Sequence, residues 1–94
     1  TNNGLYQRFT SGRARGYDFI VNNYLSNSSM QKFVHPDAKV PYLFGNGIFV
    51  SYDDATSIAL KSQYAKSMGL RGVGAWELSF DRSSVLLNSL FNNF

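Results

Sequence analysis

Residues 53–94 read as helix, glycine-marked loop, apolar strand and helix, an order that leaves one strand with nothing to pair with. Helix, short loop and apolar strand make half of a βαβ unit, and such a strand wants parallel neighbours on both edges. The chain has 94 residues, whereas a closed (β/α)8 barrel takes about 250. This half cannot complete a sheet by itself. The first residue is Thr rather than Met, and the chain reads as a piece of a longer one.

The pattern predicts the first helix over residues 53–68. Asp53 or Ser51 can accept from the free N–H groups of its first turn, and Asp54 complements the helix dipole. Ala55, Ile58, Ala59, Ala65 and Met68 fall near one face, leaving Lys61 and Lys66 for solvent. Gly69 stands where a left-handed residue ends a helix. Residues 73–78 read as the apolar strand. Ser83 or Ser84 would cap a last helix over residues 83–94, with Leu87, Leu90, Phe91 and Phe94 as its stripe.

The first 52 residues have a different character, antiparallel β with turns. Residues 40–44 and 48–52 flank Gly45-Asn46-Gly47, a tight hairpin signal because Asn and Gly tolerate positive φ. Pro41 suits the first position of a strand. Residues 17–25, with Tyr17, Phe19, Ile20, Val21, Tyr24 and Leu25, are aromatic and β-branched enough for a strand. A short strand is also expected near residues 5–9, and a short strand or a turn of helix over residues 30–34, ended by His35-Pro36-Asp37. No internal repeat or low-complexity segment is visible.

Charge and composition exclude several functions. The net charge is +3, but the nine Lys and Arg are dispersed along the chain, so a nucleic-acid footprint is lacking. No apolar run approaches the roughly 20 residues of a membrane span. Without cysteine there is neither a disulfide framework nor a thiolate metal site. The lone His35 has no companion ligand, so no metal or other cofactor is expected. Asn27-Ser28-Ser29 is a formal glycosylation acceptor, a short motif often matched by chance.

Three features invite chemistry and two of them yield to simpler readings. Asp53-Asp54 could be an acid and base pair, but glycosidase carboxylates converge from separate elements, and helix capping explains these two. Gly69-Leu70-Arg71-Gly72-Val73-Gly74 is glycine-rich, yet it follows a helix and opens a strand, the reverse of a dinucleotide loop. Trp76 is different. A tryptophan in an apolar strand is ordinarily core, but at the C-terminal end of a barrel strand it stands where barrel active sites lie. A large rigid indole there suits stacking against the apolar face of a sugar.

The wording then becomes specific. Val40-Pro41-Tyr42-Leu43-Phe44, Ser51-Tyr52-Asp53-Asp54, Ser57, Lys61, the run from Gly69 to Glu77, and Asp81 resemble the end of glycoside hydrolase family 18 in order and spacing. Asn3-Gly4-Leu5-Tyr6-Gln7 and Gly16-Tyr17-Asp18-Phe19 are similar to the small insertion domain of its chitinases. The resemblance implies an α+β piece. Residues 1–52 would be most of the insertion domain, and residues 53–94 would complete a (β/α)8 barrel in the full-length protein. Arg71, where the family usually has Gly, is a small departure.

It further implies a secreted, extracellular chitinase acting on β-1,4-linked N-acetylglucosamine polymers with retention, the substrate's own N-acetyl oxygen attacking the anomeric carbon. Trp76 would be the substrate-binding residue under the sugar, followed by a cis peptide bond to Glu77. Tyr17, Tyr24 and Tyr42 are weaker candidates as cleft aromatics, set against structural roles in the insertion sheet. The family's DxxDxDxE acid signature is absent from this sequence. No catalytic residue is therefore assigned, and this segment alone is expected to be inactive. Its expected partners are chitin and the remainder of the barrel. A chitinase-like lectin, another family 18 activity, or a free-standing sugar-binding module are the alternatives.

Overall fold

The computed structural model describes residues 3–94. In chain order it holds helix α1 (Tyr17–Ile20), which runs on into a π-helical turn (Val21–Leu25), strands β1 (Gln31–Val34), β2 (Pro41–Gly45) and β3 (Ile48–Ser51), helix α2 (Ala55–Ser67), a 3₁₀ turn (Leu78–Phe80) and helix α3 (Val85–Asn92). The three strands form one antiparallel sheet in the order β1-β2-β3. The fold is α+β.

The hairpin forms where the glycines predict it. Asn46 and Gly47 take φ of 50° and 72°, the pair of positive values a tight two-residue hairpin demands. Register follows, with Gly45 opposite Ile48 and Tyr42 opposite Ser51. Alternation then sorts the side chains onto two faces. Leu43, 1% exposed, packs on one face with Ile20 and Tyr52, and Tyr17, Tyr24, Leu25, Met30 and Val50 close around them. On the other face Tyr42 is stacked between Phe33 and Phe49, ring centroids 5.1 and 5.3 Å away.

Residues 17–25 are helical, not a strand. Tyr17, Ile20 and Tyr24 recur at helical spacing and carry the face that meets the core. Side chains reinforce the turn: Asn23 Nδ2 donates to Phe19 O and Ser26 Oγ to Asn22 O. Residues 5–9 form no strand; a turn stands at 4–6 and irregular chain follows.

Helix α2 begins on a reciprocal cap. Asp54 Oδ1 accepts from the Ser57 amide at 2.8 Å, while the Asp54 amide donates to Ser57 Oγ at 2.9 Å. The cap is Asp54, not Asp53 or Ser51. Asp53 instead accepts from Ser57 Oγ and from Lys61 Nζ, the lysine reaching both carboxylate oxygens at 2.8 Å. Lys61 is thus paired rather than free. The helix ends at Gly69, φ 70°.

Residues 73–78 do not form a ladder strand. A strand needs a neighbour, and the three-stranded sheet is built from other residues. Helix α3 also differs in detail. Ser84 has φ 60° and its side chain caps nothing. Asp81 does that work, accepting from the amides of Val85 and Leu87 at 3.0 and 2.9 Å. The face toward α2 is set by polar contacts: Ser62 Oγ donates to Leu90 O, Ser89 Oγ to Ala55 O, and Gln63 Nε2 to Asn93 Oδ1. Phe91 consequently points outward, 81% exposed.

Candidate functional site

The indole of Trp76 is 96% exposed. It stands on the irregular segment from Val73 to Leu78, and the bond to Glu77 is cis. That segment borders a cleft of about 530 Å³. Tyr17, Tyr52, Asp53, Lys61, and Leu87 and Leu90 of α3 line it as well. A mainly apolar lining with a few polar groups is the usual composition of a small-ligand site.

Two phenols supply hydroxyls that stay protonated. Burial pushes the Tyr52 phenol up to about 12, with the Asp54 carboxylate and Tyr17 adding to it. Burial also raises Tyr17, followed by the carboxylates of Asp54, Asp81 and Asp18. In both cases desolvation disfavours the phenolate and the nearby negative charges work in the same direction. The Tyr52 hydroxyl has no hydrogen-bond partner among the described residues.

The carboxylates beside the cleft are engaged in the protein's own bonding. Asp53 is held by Lys61 and Ser57, Asp81 by the amides of α3, and Glu77 by the Ser79 hydroxyl. The arrangement can therefore offer a stacking face, the Tyr17 hydroxyl as a neutral donor, and an ion pair; the Tyr52 hydroxyl is buried. It presents no carboxyl group positioned as an unencumbered proton donor among the described residues.

The four aromatic residues singled out in the sequence have separate fates. Trp76 and Tyr17 border the same cleft. Tyr24 packs against the core cluster and lies edge-on to Phe19, ring centroids 5.9 Å apart. Tyr42 is 4% exposed inside its ring stack and so cannot serve as a cleft aromatic; its place on the central strand covers it from both sides. His35 organises the turn around Pro36, its Nδ1 accepting from the amides of Asp37 and Ala38. Tyr52 belongs to the Ser51-Tyr52-Asp53-Asp54 motif but has no site role in the sequence reading. Its signal lies in its position, one residue past β3 and directly before the aspartates that open α2.

Comparison with known proteins adds an independent line. The family described as Glycosyl hydrolases family 18 matches residues 3–81. Chitinase A1 of Niallia circulans is 42% identical over 98 residues, which covers 94% of this chain and 14% of that protein. The structure of a glycoside hydrolase family 18 N-acetylglucosaminidase from Paenibacillus barengoltzii matches with a TM-score of 0.80 at 33% identity, over 86% of this chain and 24% of that one. Chitinase ChiW from Paenibacillus sp. str. FPU-7 matches with a TM-score of 0.76 at 37% identity, over 82% of this chain and 9% of that one. The chain spans about a quarter or less of the length of each.

Proposed function

The chain belongs to family 18 of the glycosyl hydrolases, and from that premise we propose that it forms one side of a chitinase cleft in which Trp76 is the platform for an N-acetylglucosamine ring. The observation that carries this reading is the indole itself, 96% exposed beside a cleft. A ligand that covers the part of a large apolar ring left facing a cleft gains the area it removes from water. A pyranose ring offers a matching apolar face of C–H groups, and its hydroxyls and acetamido group can meet the polar edge of the cleft.

In this reading residues 1–52 are the insertion domain that makes one wall, and residues 53–94 are the end of the barrel. The substrate is a β-1,4-linked N-acetylglucosamine polymer, cleaved with retention through the sugar's own acetamido oxygen. The proton donor lies outside this chain, in keeping with the engagement of Asp53, Glu77 and Asp81 described above, and the segment alone turns over nothing. The exposed residues 71–76 are completed by the rest of the barrel. The full protein acts outside the cell, as does its cell-surface-expressed relative ChiW.

The test is the affinity of the full-length polypeptide for a tetramer of N-acetylglucosamine, measured by calorimetry. Trp76→Ala should weaken binding about ten-fold or more, as loss of an aromatic anchor does, and Trp76→Phe should weaken it less. Equal affinity in wild type and Trp76→Ala would refute the assignment.

A further inference from the structure

Among the described residues, none of residues 71–76 makes a hydrogen bond, an ion pair or a ring contact. Within these residues the segment that bears Trp76 is tied down at its two ends, and the barrel neighbours that complete it in the full-length protein lie outside this chain. On one side the Leu70 amide donates to Ala65 O at the close of α2. On the other, residues 77–84 form a run of tight turns: Phe80 N–H to Glu77 O at 3.2 Å, Asp81 N–H to Leu78 O at 3.1 Å, and Ser84 N–H to Asp81 O at 3.0 Å.

One long-range bond fixes that run to α1. The Arg82 amide donates to Asp18 Oδ2 at 2.9 Å, across 64 residues of sequence. Beside it the chain approaches closely, for a Cβ on Gly16 would lie 2.7 Å from the Phe80 ring. A carboxylate acceptor makes a stronger bond to an amide than a neutral one does. We infer that Asp18 is a positioning residue for the sugar platform: by gripping the Arg82 amide it fixes the turns that follow Trp76, and so fixes where the indole stands relative to the wall that carries Tyr17. Asp18 acts through the backbone and needs no contact with the sugar. The inference rests on the reading of Trp76 as the platform.

The experiment is a double-mutant cycle on the full-length polypeptide, with the affinity for an N-acetylglucosamine tetramer as the readout. Asp18→Ala should weaken binding about ten-fold, the effect expected when a hydrogen bond to a charged group is lost. Asp18→Asn keeps an acceptor oxygen and should stay within about two-fold of wild type. Gly16→Ala pushes Phe80 away from the same joint and should resemble Asp18→Ala, which provides a second route if Asp18→Ala does not fold. In a Trp76→Ala background each of these changes should have no further effect, since residues acting through one another are not additive. Full additivity with Trp76→Ala, unchanged affinity in both Asp18→Ala and Gly16→Ala, or an Asn variant as weak as the Ala variant overturns the inference while leaving the platform intact. If Trp76→Ala itself binds normally, the platform reading falls and this one falls with it.

Discussion

Tyr52→Phe should make the protein more stable at neutral pH and less sensitive to alkali. Tyr52 is 9% exposed and its hydroxyl has no hydrogen-bond partner among the described residues. A buried polar group without a partner costs about 1–3 kcal/mol, so deleting the oxygen while keeping the ring should stabilise the fold by about 1 kcal/mol. The alkaline limb has its own sign and size. The folded pKa is raised from 10.0 to about 12, so the protonated phenol favours the folded state fully below pH 10.0, and that contribution disappears as pH climbs through about 12. At about 1.4 kcal/mol for each pH unit, the gap corresponds to a loss of about 3 kcal/mol in the wild type. The Phe variant lacks this loss and keeps only the smaller one that Tyr17 carries, its pKa being raised in the same direction. Urea midpoints followed by far-UV circular dichroism, at neutral pH and then stepped through the alkaline range, measure both effects. A lower midpoint for Tyr52→Phe at neutral pH, or two parallel alkaline profiles, would refute the reasoning.

Two further substitutions probe the scaffold behind the cleft. Leu43→Ala removes the side chain at the centre of the sheet, 1% exposed, and should cost about 2–5 kcal/mol, read as a lowered urea midpoint. Gly45→Ala sets a Cβ against the backbone oxygen of Ser29, which has no rotamer to move, and should cost about 1–3 kcal/mol. Gly47→Ala meets open space and only the penalty of a φ of 72°, about 1–2 kcal/mol. A midpoint shift larger at Gly47 than at Gly45 would contradict the close approach.

The parts legible in the sequence are those fixed by neighbours a few residues away. Gly45-Asn46-Gly47 determines its turn through φ alone, and the span of α2 follows from Asp54, Ser57 and Gly69 within a single stretch. In residues 17–25 the aromatic and β-branched composition favours a strand, whereas the spacing of Tyr17, Ile20 and Tyr24 follows a helix and packs that way. The same competition between composition and contact appears in α3. Four apolar residues at helical spacing suggested the buried stripe, but the orientation is decided by Ser62, Ser89 and Gln63 meeting their partners on the opposite helix. Residues 73–78 failed as a strand because pairing is a property of two segments. In the cleft, Trp76 is an exposed indole as its residue type and setting suggest, and its role there is the proposal above. Tyr42 was not separable from Tyr17 by type, since only the sheet order shows which phenol is roofed over.

The most water-exposed large apolar side chain among the described residues is also the sole tryptophan of the sequence. Excited on the red side of the tyrosine band, such a chain emits from a single residue. Its emission should begin at the long-wavelength, aqueous end of the indole range, and whatever comes to lie across that ring should move the band toward the blue.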